Sequence, residues 1–206
     1  MTLQTTPSDL DLLRLMSAGD EHAFTTLYRR RQGGVYRFAL QMSGSHAVAE
    51  DVTQEVFMFL IREAERYDPS RGSMAAYLYG IARNLVLRRF ERDRLLVPFA
   101  ETDADNTTVH PAMIAGDDPL GDLTRNEMIG IVRSSILALP AHYREVVVLC
   151  ELHEMSYAEA ANVVGCAVGT VRSRLHRARA LLVEKLRAGR DRDSDPEHVN
   201  PARCFA

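Results

Sequence analysis

The 206-residue sequence predicts an all-α protein: two small helical domains joined by a flexible acidic linker. Three observations carry this. Apolar residues recur at helical spacing through most of the chain, and capping residues precede several of the runs. A central stretch, 96–123, breaks that period with Pro98, Pro111 and Pro119 among repeated Asp, Asn and Thr. Charge is also segregated. The net charge is −3, yet residues 71–94 hold six Arg against two acids, and residues 172–192 hold eight bases against two acids. Between Glu101 and Glu127 there are seven acids and one Arg. Two basic segments separated by an acidic one suit a protein that meets nucleic acid, a pattern the sum conceals.

The elements follow in order. Residues 1–7 are polar and expected to be loose. Ser8 with Asp11 reads as a capping box for a short helix carrying Leu10, Leu12, Leu13, Leu15 and Met16, ended by Gly19. Asp20 caps the next, with Ala23, Phe24, Leu27, Tyr28, Val35, Phe38 and Ala39 at helical spacing. Gly33 and Gly34 inside it cost roughly 2 kcal/mol together relative to Ala, which predicts a bend or break. A third helix is expected from Ala47 to Tyr67, with Val48, Val52, Val56, Phe59 and Leu60 inward. Its acids, Glu50, Asp51 and Glu55, read on their own as a solvated face.

Asp68 to Ser73 is a loop by composition. A long basic helix follows, Met74 to Arg94, with Tyr77, Leu78, Ile81, Ala82, Leu85 and Phe90 packed. Cations along a helix with aromatics beside a polar loop are a combination that binds single-stranded nucleic acid. After the linker, Thr124 to Leu139 is helical, stopped by Pro140. Tyr143 to Leu152 reads as a buried helix despite the β-branched run Val146 to Val148.

Residues 155–186 are the most specific stretch. Ser156 and Glu159 form a second capping box, and Gly165 supplies the turn. Ala161 stands where two helices cross. Thr170 is expected to cap a second helix whose inner face is Val171, Leu175, Ala178, Leu182 and Leu186. Arg172, Ser173, His176, Arg177 and Arg179 fall on the other face. This is a helix-turn-helix with a basic second helix. The tail, 188–206, is expected to be disordered.

Other classes are disfavoured. No apolar run reaches the roughly 18 residues of a membrane span, and the N-terminal stretch lacks the pattern of a signal peptide. Cys150, Cys166 and Cys204 form no CxxC pair and fit a reduced cytosol. Cys150, His153, Cys166 and His176 match no common zinc spacing. No nucleophile–base pair is visible, so neither enzyme activity nor a cofactor is expected.

These segments together resemble the extracytoplasmic-function (ECF, group 4) sigma factors of bacterial RNA polymerase. AEDVTQEVFMFL (49–60) is similar to the family's region 2.2, and AAYLYGIARNLVLRRFER (75–92) to regions 2.3 and 2.4. LPAHYREVVVL (139–149) with YAEAANVVGCAVGTVRSRLHRAR (157–179) resembles region 4. The resemblance implies domains at 8–95 (region 2) and 124–187 (region 4). It implies that Asp51, Gln54, Glu55 and Phe57 dock on the β′ clamp helices of core polymerase, in place of the solvated-face reading, and that the β flap is a second contact.

By the same resemblance the loop from Tyr67 to Ser73, including Ser70, Arg71 and Ser73, holds a flipped base of the melted −10 element. Tyr77 stands where the family often has Trp; it, Arg83, Asn84, Arg88 and Arg89 serve the −10 strand. Thr170, Arg172, Ser173, His176 and Arg177 meet the −35 major groove, with Arg174 and Arg179 on phosphates. An anti-sigma factor is an implied partner, alongside promoter DNA and core polymerase. The rival readings are a helix-turn-helix regulator acting without polymerase and an adaptor that binds only proteins.

Overall fold

The computed structural model of the chain describes residues 6–96 and 123–193, with side chains over 6–93 and 128–187. The expected linker between 97 and 122 and the tail from 194 lie outside the described residues. Eight α-helices are found among those described: α1 (Asp9–Ser17), α2 (Glu21–Ser43), α3 (His46–Arg62), α4 (Met74–Leu96), α5 (Leu123–Leu137), α6 (Ala141–Val147), α7 (Tyr157–Val164) and α8 (Val168–Asp193). The described residues contain no strand.

Local chemistry sets most boundaries. Ser8 and Asp11 close a capping box on α1, as Ser156 and Glu159 do on α7. The Asp20 carboxylate accepts from the N–H of His22 and Ala23 to start α2. Ser45 caps α3. Gly44 and Gly165 end α2 and α7 in the left-handed region, at φ +73° and +77°.

Four expectations are corrected. Helix α2 runs unbroken through Gly33 and Gly34. Gly34 is instead a close approach: a Cβ there would lie 2.8 Å from the Tyr79 hydroxyl. Helix α3 stops at Arg62, not Tyr67, and gives way to a 3-10 turn at Ala64–Arg66. Thr170 does not cap α8. Its own N–H already bonds the Ala167 carbonyl, so it lies within the first turn. The tail is helical to Asp193, about 1.7 turns past the expected end at 187.

The segment read as a buried helix from Tyr143 to Leu152 is helical throughout, but in two registers. Helix α6 passes into a π-helical turn, Val148–Leu152. Val146 and Val147 of the β-branched run lie in α6 and Val148 opens the π-helical turn, and Val146, Val147, Val148 and Leu149 are all buried.

The core of the first half is Leu27, Val35, Phe38, Met42, Val52, Val56, Leu60, Leu78, Ala82 and Val86. The second half closes around Leu139, Leu149, Ala160, Val171, Leu175 and Ala178. The halves touch. Arg144, fully buried, donates to the carbonyls of Met42 at the end of α2, of Leu137 at the end of α5 and of Leu139 just beyond it. A cation set on those free carbonyls complements the negative end of each helix. Burial alone lowers its pKa to about 10, so it stays charged at neutral pH.

Candidate nucleic-acid interface

The loop between α3 and α4 is built by local hydrogen bonds. Asp68 accepts from the Ser70 N–H at 2.9 Å and from its hydroxyl at 2.7 Å, folding a 3-10 turn at Pro69–Arg71. Gly72 follows at φ +150°, and its carbonyl accepts from the Tyr67 hydroxyl at 3.2 Å. Ser73 Oγ accepts the Ala76 N–H at the start of α4. Behind this loop lies a cavity of about 480 Å³, lined by Arg66, Tyr67, Ser70, Tyr77 and Asn84 among others. Tyr67 and Tyr77 stand with ring centroids 5.4 Å apart. Arg71, Ser70 and Ser73 are exposed at its mouth.

The structure thus gathers most of the residues assigned to the −10 strand around one pocket and along α4. Its second wall was not foreseen. Asn162 and Val163 of α7 also line the cavity. Asn162 Nδ2 donates to the Arg71 carbonyl at 3.1 Å, and Ser73 Oγ donates to Glu159 at 3.1 Å. Further along α4, Arg83 Nε donates to Glu145 at 2.7 Å. Glu145 is buried, and its other oxygen accepts from Arg174 at 3.2 Å. Tyr79 packs on Phe38 and donates toward His153, whose other nitrogen faces Gln41 at 2.9 Å. Arg88 and Asn84 remain exposed.

On α8, Arg172, Ser173, His176 and Arg177 are exposed on one face, as the period required. Arg174 is not a free phosphate ligand in this arrangement: it is turned to Glu145 of α6. Arg179 pairs with Glu151 at 2.5 Å.

On α3, Asp51, Gln54 and Glu55 are exposed. Phe57 is not. It is 3% exposed and packs edge-on against Tyr28 at 4.7 Å, so the expectation of a presented aromatic is corrected. Helical period explains it: Phe57 shares a face with Thr53 and Leu60, both buried. The apolar members of the outward face are Met58 and Ile61, 52% and 53% exposed. They follow Asp51 and Gln54 by seven residues each, a spacing already visible in the sequence.

Comparison with known proteins agrees with this architecture. Residues 27–95 match the family model for sigma-70 region 2, and residues 129–182 that for sigma-70 region 4. The chain is 33% identical to the ECF RNA polymerase sigma factor SigE of Mycolicibacterium smegmatis over 82% of its length, spanning 65% of that protein. It is 29% identical to SigW of Bacillus subtilis over 85% of its length and 95% of that protein. Against the ECF sigma-E factor of Escherichia coli K12 the identity is 33%, over 87% of this chain and 94% of that protein. Among solved structures, CnrH in complex with the cytosolic domain of CnrY matches with a TM-score of 0.61 at 28% identity, over 91% of this chain and all of that one. The sigma factor RpoE with the anti-sigma factor NepR from Bartonella quintana matches with a TM-score of 0.59 at 26% identity, over 80% and 96% of the two chains. The chain belongs to the ECF sigma factors of the sigma-70 family.

Proposed function

We propose that this chain directs bacterial core RNA polymerase to promoters by binding a −10 and a −35 element at a fixed separation. The observation that carries the reading is the presence of both family regions in order, each with its own basic surface: the loop and α4 of region 2, and the outer face of α8 in region 4. The acidic face of α3, extended by Met58 and Ile61, is the polymerase contact. The cavity behind Ser70 to Ser73 takes an unstacked base, and Arg83, Asn84, Arg88 and Arg89 hold the strand beyond it. Arg172, Ser173, His176 and Arg177 enter the −35 major groove.

Sigma factors are DNA-binding initiation factors, and here the polymerase supplies the chemistry. Each module alone is weak; tethering them to one polymerase raises the effective concentration of the second contact. Among the described residues no helix is long and apolar enough to cross a membrane. Both structural relatives named above were solved as complexes, one of them with an anti-sigma factor, which supports an anti-sigma factor as the regulator. Region 4 supplies one wall of the pocket through Asn162 and Val163 and pairs with Arg83 through Glu145, so a strand that takes both the pocket and Arg83 requires α7 and Glu145 to lift away.

The experiment is selection of bound DNA from a random duplex pool, with the chain alone and with core polymerase added. Enrichment of two spaced elements only with core supports the reading. A palindrome enriched by the chain alone would replace it with a conventional helix-turn-helix regulator.

A further inference from the structure

Two sets of residues that the sequence keeps apart meet at one side chain. Arg89 of α4 reaches across to α3, where Nη1 lies 3.1 Å from Asp51 Oδ2 and Nη2 lies 2.5 Å from Glu55 Oε1. Asp51 and Glu55 belong to the face assigned to polymerase, and Arg89 to the group assigned to the −10 strand. The Arg89 side chain is 20% exposed, so its stem is packed and its position held. The acids are 65% and 49% exposed, open to an incoming cation. Burial works against the charge of Arg89, but Glu55 and Asp51 outweigh it and raise its pKa above the ordinary value.

We propose that Arg89 couples the two faces: Asp51 and Glu55 withhold it from the −10 strand until a cationic surface of core polymerase takes the two carboxylates. The inference rests on the reading of α3 and α4 given above. A guanidinium covered by two carboxylates attracts a phosphate weakly, and the carboxylates themselves repel one. When a polymerase cation pairs with the acids, the charge of Arg89 is uncovered without any movement of the backbone. Exposed ion pairs are weak enough to exchange in this way, and two acids on one held guanidinium make the exchange worth measuring. Linkage makes the effect reciprocal: a strand that captures Arg89 releases the acids for polymerase. The chain would then hold polymerase more tightly once the promoter strand is in place.

The test is a cycle of substitutions in the full chain, read by titration with core polymerase in the absence of DNA. R89Q is expected to bind core more tightly than wild type, by about threefold to fivefold, because the acids no longer have an internal partner. In the D51N/E55Q background, which itself weakens core binding, R89Q is expected to change nothing. The assembled holoenzyme carrying R89Q is expected to bind a single-stranded −10 oligonucleotide, enriched by the wild-type holoenzyme from a random pool, less tightly than wild type. R89K keeps the charge without the two-acid fork and is expected to fall between. Thermal unfolding of each variant separates a loss of fold, which weakens every interaction, from a loss of pairing, which strengthens one. Core binding by R89Q that is unchanged or weaker, a gain that persists without the acids, or unaltered strand binding by the holoenzyme would each overturn the coupling. Failure of the wild-type chain to bind core at all would instead remove the parent reading.

Discussion

Arg83 of α4 and Glu145 of α6 form an ion pair at 2.7 Å that joins the two family regions, and the same carboxylate holds Arg174 of α8. The Glu145 side chain is 3% exposed, whereas its partners are 18% and 30% exposed. A buried acid that serves two cations is worth little against an apolar replacement but much against removal of its charge. E145Q is expected to destabilise the chain by about 2–4 kcal/mol in chemical denaturation. It is also expected to expand the chain in small-angle scattering, since the pair ties region 4 to region 2.

Gly33 and Gly34 make a paired prediction. A Cβ at Gly33 meets only Arg37 Nη1 at 3.5 Å, an ordinary contact, so G33A is expected to stabilise α2 by about 0.5–1 kcal/mol. At Gly34 the new methyl meets the Tyr79 hydroxyl at 2.8 Å. Tyr79 is stacked on Phe38 at 5.3 Å and bonded to His153, so it has little room to yield. G34A is expected to lose about 1 kcal/mol net, the gain in helix propensity being smaller than the overpacking. Thermal unfolding of the two variants side by side checks the opposite signs.

His153 predicts a pH dependence. Burial, and then the charge of Arg37, lowers its pKa to about 4. An unfolded His binds its proton near 6.5, so between about pH 6.5 and 4 the unfolded chain holds more protons and stability falls as pH falls. Residual solvent access reduces the effect to on the order of 1–2 kcal/mol across that window. H153Q keeps a polar group between Gln41 and Tyr79 but does not titrate. The stability difference between wild type and H153Q is expected to shift against wild type from pH 7 to pH 4, and a constant difference would remove His153 from the account.

Phe57 separates packing from docking. F57A is expected to cost about 3–4 kcal/mol by opening a cavity beside Tyr28. M58A and I61A, at exposed positions, are expected to leave stability within about 0.5 kcal/mol and to weaken core polymerase binding. If they left core affinity unchanged in a titration, the outer face of α3 would not be the contact.

Helix order, caps and the helix-turn-helix were legible in the sequence because each depends on residues a few positions apart. Ser8 with Asp11 and Ser156 with Glu159 are local rules, and the structure obeys them. Part of what failed depended on distant neighbours, and part on local helix geometry. Gly34 looked like a helix breaker because nothing near it in sequence announces Tyr79. Phe57 looked available because the family resemblance assigns its position to docking, whereas its helical face, shared with Thr53 and Leu60, is buried. Thr170 looked like a cap, although the chain enters the helix three residues earlier, at Ala167. The engagement of Arg83, Arg89 and Arg174 by acids 29 to 62 positions away was likewise invisible, since pairing across helices leaves no local pattern.

The central claim is that this chain gives core polymerase its promoter choice. Run-off transcription with purified bacterial core polymerase, on templates bearing the two-element sites selected with holoenzyme, tests it most directly. Defined transcripts are predicted when the chain is added, with R172A reducing −35 use by about 1–3 kcal/mol if that side chain contacts a base. Core polymerase that stays silent on those templates with the folded chain present would contradict the account.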